Sequence, residues 1–124
     1  MAASDPGADP VYVIDELVLQ PGRLDAFLSA METRYRPGAE ARGQRLVQTL
    51  VTPPTATEGV AQSVILIWVL DGVPGFWTMR SQNSTEEVAA WWDECETFVQ
   101  TRSRRFAAAP DAIAGFEALG RLNA

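Results

Sequence analysis

SVILIWVL, residues Ser63–Leu70, is the stretch of the chain that decides its fold. Seven of its eight residues are apolar, and most are β-branched or aromatic, which favours a strand. A strand that is apolar on both faces is expected at the centre of a sheet, with both faces covered. We therefore expect Ser63–Leu70 to be a central strand around which the other elements are arranged.

Three further segments are predicted strands. Val11–Leu19 (VYVIDELVL) is β-branched and apolar except for one acidic pair, and Arg45–Thr52 (RLVQTLVT) also has strand character. Arg102–Ala107 is the last candidate, although its residues have weak strand propensity. The chain therefore has enough strands for a four-stranded sheet.

Two predicted helices alternate with these strands. The first runs from about Arg23 to Arg36, where Pro37 should end or kink it, and a short helical tail follows at Ala39–Arg42. The second is opened by Ser84 and Glu87, which are spaced as in a capping box. The residues that form the apolar face of the first predicted helix recur at helical spacing: Leu24, Phe27, Leu28, Met31 and Tyr35.

The order β-α-β-β-α-β predicts an α+β, ferredoxin-like fold with a four-stranded antiparallel sheet over residues 11–109. Helices would cover only one face of this sheet. The other face would be an association site, and we expect a homodimer in which two sheets pack face to face around a cavity. Residues 1–10 are predicted to be disordered. Residues 110–124 are a C-terminal extension in which Asp111–Leu119 could form a short helix.

The chain contains no histidine and no lysine, and this absence narrows its chemistry. All ten basic residues are arginine, so there is no imidazole to move protons or bind a metal. We expect neither a metal nor an organic cofactor. The net charge of −6 argues against nucleic acid and anionic membranes as partners. Without a signal-peptide pattern, a cytoplasmic protein is expected, and the lone Cys95 should be a buried hydrophobe.

The segment Tyr12–Leu24, with its Pro-Gly turn, resembles the opening strand, turn and helix start of the NIPSNAP-like group. Pro37 followed by Gly43, the pair Ile67–Trp68, and Trp91 in the second helix are also similar to that group. The resemblance implies a dimeric α/β barrel. That superfamily includes cofactor-independent oxygenases, polyketide cyclases, isomerases and haem-degrading enzymes, and the haem-degrading members use a histidine ligand that this chain lacks.

Asp15 and Tyr35 are the predicted catalytic residues. Alternation along the first strand sends Asp15 and Glu16 to opposite faces. We expect Asp15 to face the cavity, with Tyr12 and Ile14 under the helices, so that an apolar setting would raise its pKa for a general base. The alternative is a structural ion pair with Arg104. Tyr35 could donate a proton to an oxyanion, or could belong to the core.

Six further residues are predicted to bind a substrate. Trp68 could stack on a flat ligand or pack in the core, and the segment around Trp77 could form a lid over a cavity or a plug at the dimer edge. Arginine suits a ligand carboxylate, phenolate or enolate, although most arginines pair with surface acids. The six residues are Trp68, Phe76, Trp77, Met79, Arg80 and Arg104.

Together these features predict a small enzyme that binds a hydrophobic, aromatic or polyketide-like molecule. It would act by isomerisation, cyclisation or oxygenation, without a cofactor. The alternative is a non-catalytic ligand-binding or interaction module of the same fold. A third possibility is an accessory subunit that contacts a larger enzyme through Trp77.

Overall fold

The protein, described by a computed structural model over residues 9–114 and residue 117, is built on one four-stranded sheet. Its strands are β1 (Val11–Leu19), β2 (Arg45–Thr52), β3 (Ser63–Leu70) and β4 (Val99–Ala108). The strand order is β2-β3-β1-β4, and every neighbouring pair is antiparallel. This order confirms the predicted ferredoxin-like α+β fold, with β3 in the interior of the sheet. The predictions for residues 1–8 lie outside the described residues.

β4 is longer than the sequence predicted, because it begins at Val99 instead of Arg102. It is an edge strand that pairs only with β1 in the sheet, and Asp15 lies directly opposite Arg104 in this register. Pairing with a central strand provides a ladder of backbone hydrogen bonds that does not depend on side-chain propensity. The weak propensity of this segment therefore does not prevent a ten-residue strand.

The two faces of β1 are separated by strict alternation, and Asp15 lies on the face that was not expected. Residues with odd numbers are buried beneath the helices, whereas Tyr12, Ile14 and Glu16 are half-buried on the open face. The prediction that Asp15 faces an inter-sheet cavity was therefore wrong. Pairing with β3 decides which side chains of β1 face the helices, because the buried Trp68 and Leu66 lie opposite Val13 and Asp15.

The first helical region is continuous where the sequence predicted an end or a kink at Arg36. It consists of α1 (Leu24–Ala30), a π-helical turn (Met31–Tyr35) and α2 (Arg36–Ala41). Of the two predicted alternatives, an end of the helix at Arg36 is wrong, and most of the predicted tail Ala39–Arg42 belongs to α2. In the π-helical turn the Arg36 N–H donates to the Met31 carbonyl, and Pro37 lies in the first turn of α2, where a missing N–H costs little. The helical path therefore continues past the proline.

The segment after β3 is a full helix, α3 (Gly72–Gln82). Gly72 has a φ of 70°, which suits glycine at the point where the chain leaves the strand. Pro74 lies in the first turn, where it is tolerated. The buried side chains Val73, Phe76 and Met79 then recur on one face of α3, so that it packs on the sheet.

The second predicted helix is present as α4 (Glu86–Cys95), but it begins one residue later than expected. Its N-cap is Thr85, whose Oγ1 accepts a hydrogen bond from the Val88 N–H at 3.3 Å. Cys95 is fully buried at its end, as predicted, and burial raises the pKa of its thiol to about 12. The thiol is therefore protonated at neutral pH and packs as a small apolar group.

The helices of the described residues lie on one side of the sheet. The chain beyond β4 continues with a 3₁₀ turn at Pro110–Ala112. Most of the predicted terminal helix Asp111–Leu119 lies outside the described residues. Among residues 9–114 and 117, no helix has both the length and the apolar character needed to cross a membrane.

The cap of α4 gives a test of this start point. Thr85→Ala removes the hydroxyl that the Val88 N–H uses, and we expect it to lower the free energy of unfolding by about 1 kcal/mol. Ser84→Ala should change it by less than about 0.5 kcal/mol, the usual range for surface substitutions. Urea denaturation measures both. A larger loss for Ser84→Ala than for Thr85→Ala would show that Ser84 and not Thr85 is the N-cap of α4.

Candidate functional site

Asp15 is the centre of a buried polar cluster beneath the helices. Arg104, directly across from it on β4, donates from Nε to Asp15 Oδ1 at 2.6 Å and from Nη2 to Oδ2 at 2.9 Å. Trp68 on β3 donates from Nε1 to Oδ2 at 3.0 Å. The Arg104 Nη2 also donates to the Tyr35 hydroxyl at 3.0 Å. Three strands and the π-helical turn are thus joined by one set of hydrogen bonds.

Aromatic rings surround this polar cluster. The Tyr35 ring stacks on Trp91 at 5.2 Å between centroids and meets Trp68 edge-on at 5.6 Å. Trp92 lies 5.7 Å from Tyr35, and the Arg104 guanidinium lies over its ring at 5.1 Å. Stacked and edge-to-face rings at these distances attract each other, and an aromatic face attracts a guanidinium. The rings cover most of the ion pair, so that the Asp15 side chain is 4% exposed and the Arg104 side chain 18% exposed.

The charges of Asp15 and Arg104 compensate each other inside this shell. Burial by itself would lower the pKa of Arg104, but its hydrogen bonds and charge attraction to Asp15 outweigh burial and raise that pKa. Both carboxylate oxygens of Asp15 accept hydrogen bonds. The ion pair with Arg104, the alternative reading of Asp15, is therefore the arrangement in the structure.

The space next to this cluster is about 10 Å³, enough for about one water molecule and too small for an organic substrate. Asp15 could act as a base only if the Arg104 fork moved away from it. Tyr35 is likewise buried, and its hydroxyl accepts from Arg104. The catalytic roles of Asp15 and Tyr35 stay predictions, and the geometry assigns both residues to a structural cluster.

A larger cavity lies one step along the same face of β4. Strand alternation places Phe106, two residues after Arg104, on the helix side, opposite Val13. The cavity has a volume of about 590 Å³ and is open on one side. Its lining residues are Val11, Phe76, Phe106, Ala107, Ala108, Ile113 and Glu117.

The cavity wall contains two phenylalanine rings in an edge-to-face contact. The centroids of Phe76 on α3 and Phe106 on β4 lie 4.9 Å apart, at an interplanar angle of 83°. Phe76 is buried, whereas Phe106 is 43% exposed. A partly exposed ring next to an apolar hollow is a surface on which a flat ligand could stack.

The structure distributes the predicted substrate-binding residues over three places. Phe76 lines the cavity, and Trp77 is half-buried next to it, with centroids 5.1 Å apart. Arg80 is exposed, and its guanidinium lies 5.9 Å from the centre of the Phe76 ring. Met79 is fully buried in the core, so it neither lines the cavity nor forms an exposed lid. Trp68 and Arg104 belong to the buried cluster.

Sequence reasoning missed most of the cavity. Phe106 belongs to a segment of weak strand propensity, and only the register with β1 shows that it follows Arg104 on the same face. Ile113 and Glu117 come from the extension after β4. An available signal was Phe106 itself, because an aromatic residue on an edge strand has few neighbours to bury it. Within residues 9–114 and 117, no cluster of three metal-ligating side chains occurs.

No protein-family model matches the chain, and no curated protein matches it either. Solved structures do match. A NIPSNAP family protein of unknown function from Agrobacterium tumefaciens has 12% identity and a TM-score of 0.63, with 82% of this chain and 89% of that chain covered. An uncharacterized NIPSNAP domain protein from Burkholderia xenovorans has 15% identity and a TM-score of 0.60, with 80% and 93% covered.

A candidate antibiotic biosynthesis monooxygenase from Nitrosomonas europaea also matches, with 8% identity and a TM-score of 0.57. The matched region covers 89% of this chain and 96% of the Nitrosomonas europaea chain. The chain therefore has a NIPSNAP-like, ferredoxin-like fold, as the resemblance implied. At these identities the matches establish the fold and leave the function to the site.

Removing one partner of the buried pair should destabilise the protein strongly. Asp15→Asn leaves the Arg104 charge uncompensated, and we expect a loss of about 3–5 kcal/mol in the free energy of unfolding. Arg104→Met should cost a similar amount, whereas the double variant Asp15→Leu/Arg104→Met should cost less than either single change. Urea denaturation at neutral pH measures all three.

The neighbouring open-face pair provides the matched control. Glu16 and Arg105 lie 3.6 Å apart and are 40% and 63% exposed, so Glu16→Gln should cost less than about 1 kcal/mol. Equal, small losses for Asp15→Asn and Glu16→Gln would contradict the view that the buried pair holds the sheet and helices together.

Proposed function

We propose that the protein is a homodimer that binds a hydrophobic, aromatic or polyketide-like small molecule in the cavity at the end of β4. The observation that carries the proposal is the cavity of about 590 Å³ with its half-exposed Phe106. This volume is within the about 300–1,000 Å³ typical of small-molecule sites. Six of the seven described residues that line it are apolar.

The dimer part of the proposal is supported by the open face of the sheet. No helix covers this face within the described residues, yet it presents Ile14 and Tyr12 of β1 and Ile65 and Ile67 of β3. Leu50 of β2 lies opposite Ile65 and is 42% exposed. A contiguous apolar sheet face in water is an interaction site, and a second copy of the same sheet would bury it.

A second candidate function is cofactor-independent catalysis on the bound molecule, by isomerisation, cyclisation or oxygenation. The observation that favours it is proximity, because Arg104 and Phe106 are neighbours on one face of β4 and lie about 6.6 Å apart along the strand. If a ligand displaced Arg104, Asp15 and Tyr35 would become available as base and acid. Binding alone needs no such movement and therefore fits the geometry better. A cytoplasmic location stays a prediction.

Native mass spectrometry of the gently purified protein separates these candidates. We expect a dimer with one small-molecule adduct in each protomer. An added ligand that is recovered chemically unchanged after incubation in air supports binding alone. Recovery of an isomer or an oxygenated product would support the catalytic candidate instead.

Phe106 offers a direct test of the cavity. The neutral fluorophore 2-naphthol should bind the wild-type protein, and Phe106→Ala should weaken that binding by about tenfold, because a ligand–aromatic contact of this kind contributes about 0.5–1.5 kcal/mol beyond the buried area. Fluorescence titration measures both dissociation constants. Val47→Ala is the matched control, since Val47 is also half-exposed but lies in β2 at the opposite edge of the sheet. Absence of 2-naphthol binding to the wild type, or equal weakening by both variants, would overturn the assigned cavity.

The open face can be tested by placing a charge in it. Ile67→Glu should convert the dimer to a monomer, because the carboxylate would have to be desolvated between two apolar sheets. Light scattering after gel filtration gives the mass of each species. Val60→Glu, at an exposed apolar residue in the loop between β2 and β3, should leave the dimer intact. A monomeric wild-type protein would rule out this mode of association.

A further inference from the structure

Arg42, the C-cap of α2, carries a half-buried guanidinium whose charge is not balanced by a neighbouring carboxylate. Its Nε and Nη2 atoms are shielded from solvent and have no hydrogen-bond partner among the described residues. The guanidinium lies 5.6 Å from the centre of the Tyr35 ring, a contact that holds it against the protein. Shielded donors without partners are costly. Compensation of this charge is therefore left to the third nitrogen, Nη1.

This state is unusual among the arginines of the chain. Within the described part of the chain, the arginines that form an ion pair with a carboxylate are Arg34, Arg36, Arg102, Arg104 and Arg105. Arg42 is not among them, although it is more buried than an exposed surface arginine. A guanidinium in this position is expected to have an acceptor that the protein chain itself does not supply.

Gly38, one turn before Arg42, marks the point at which two opposite charges approach each other. A Cβ atom at this glycine would lie 3.1 Å from Arg42 Nη1 and 3.2 Å from Glu87 Oε1. Both groups therefore approach one point in space, yet within the described residues no ion pair joins them. A gap of this kind can be bridged by one small molecule that offers a carboxylate to the guanidinium and an ammonium to the glutamate.

The gap belongs to a hollow of about 340 Å³ between α2 and the start of α4. This volume is within the about 300–1,000 Å³ of small-molecule sites. Apart from the two charged groups, its described walls are small or polar, and it shares no described lining residue with the edge cavity. The lining residues are Gly38, Ala41, Arg42, Gln82, Thr85 and Glu87.

We propose that this hollow is a second binding site and that it takes the headgroup of an α-amino acid. The ligand carboxylate accepts a charge-assisted hydrogen bond from Arg42 Nη1, and the ligand ammonium donates one to Glu87. A simple anion meets the like charge of Glu87, and a simple cation meets that of Arg42, so the pair selects a zwitterion over either. The site does not depend on the small-molecule function proposed for the edge cavity.

Three ligands of nearly equal shape test the selectivity: the zwitterion L-alanine, the cation L-alaninamide and the anion N-acetyl-L-alanine. Amide NMR titration of the isotope-labelled protein at neutral pH and low salt gives each dissociation constant and locates the shifts. We expect L-alanine to shift the amide signals around Gly38 and Glu87. The other two ligands should bind about fivefold more weakly, the upper range for one solvent-exposed ion pair.

Gly38→Ala separates binding from folding. The added methyl group occupies the point that the ligand must cross, and we expect it to weaken L-alanine binding by about tenfold, as overpacking does. The free energy of unfolding should stay the same or rise, because alanine is the better helix former and the two crowded atoms end flexible side chains. Urea denaturation of the same variant measures it.

Two charge variants have distinct signatures. Glu87→Gln should remove the preference for L-alanine over N-acetyl-L-alanine, and Arg42→Gln should remove the preference for L-alanine over L-alaninamide. Glu86→Gln is the matched control, since Glu86 is an exposed neighbour in the first turn of α4 that does not line the hollow. It should leave all three dissociation constants unchanged.

Each contrary outcome overturns a defined part of the inference. Equal binding of the three ligands, or a preference that survives both charge variants, overturns the selectivity for a zwitterion. L-Alanine binding that is unchanged in Gly38→Ala overturns the placement of the site. Absence of any shift with L-alanine overturns the site as a whole, and it leaves the edge cavity to its own test with 2-naphthol.

Discussion

The ion pair between Asp15 and Arg104 is the interaction on which the rest of the structure depends. It joins the central strand β1 to the edge strand β4, directly across the ladder and beneath the helices. Burying two charges is costly unless each polar atom is paired. Trp68 and Tyr35 supply the additional hydrogen bonds, and the aromatic rings around them cover most of the pair. The sheet, the π-helical turn and α4 are therefore arranged around one compensated pair of charges.

This arrangement determines where a ligand can bind. The predicted base and acid, Asp15 and Tyr35, are held in the cluster, where the adjoining space is about 10 Å³. Only two residues further along β4, the same face carries Phe106 and opens into a cavity of about 590 Å³. A rigid polar cluster next to an apolar hollow gives β4 two roles. Arg104 fixes the strand, and Phe106 presents a surface for a ligand.

Part of this could be predicted from the sequence. The bounds of β1, β2 and β3 match the predictions because each strand is a run of β-branched and apolar residues between turn residues. The possible ion pair of Asp15 with Arg104 was also visible, since both lie in strands that the fold makes neighbours. The position of Phe106 relative to the cavity was not visible, because it depends on the pairing of an edge strand with weak intrinsic propensity.

The sequence by itself determined the α+β class, the order of strands and helices, and the absence of imidazole and amine side chains. These follow from local periodicity and composition. Only the tertiary structure decided that Asp15 faces the helices. Which alternate side chains of a strand are buried depends on its pairing with neighbouring strands, and a one-residue shift would turn every side chain to the other face. It likewise decided that the helical path continues past Pro37, through a π-helical turn whose Tyr35 reaches Arg104. Pairing between strands that are distant in sequence set the first outcome. The second depends on the backbone hydrogen bond from the Arg36 N–H to the Met31 carbonyl, which side-chain periodicity does not reveal.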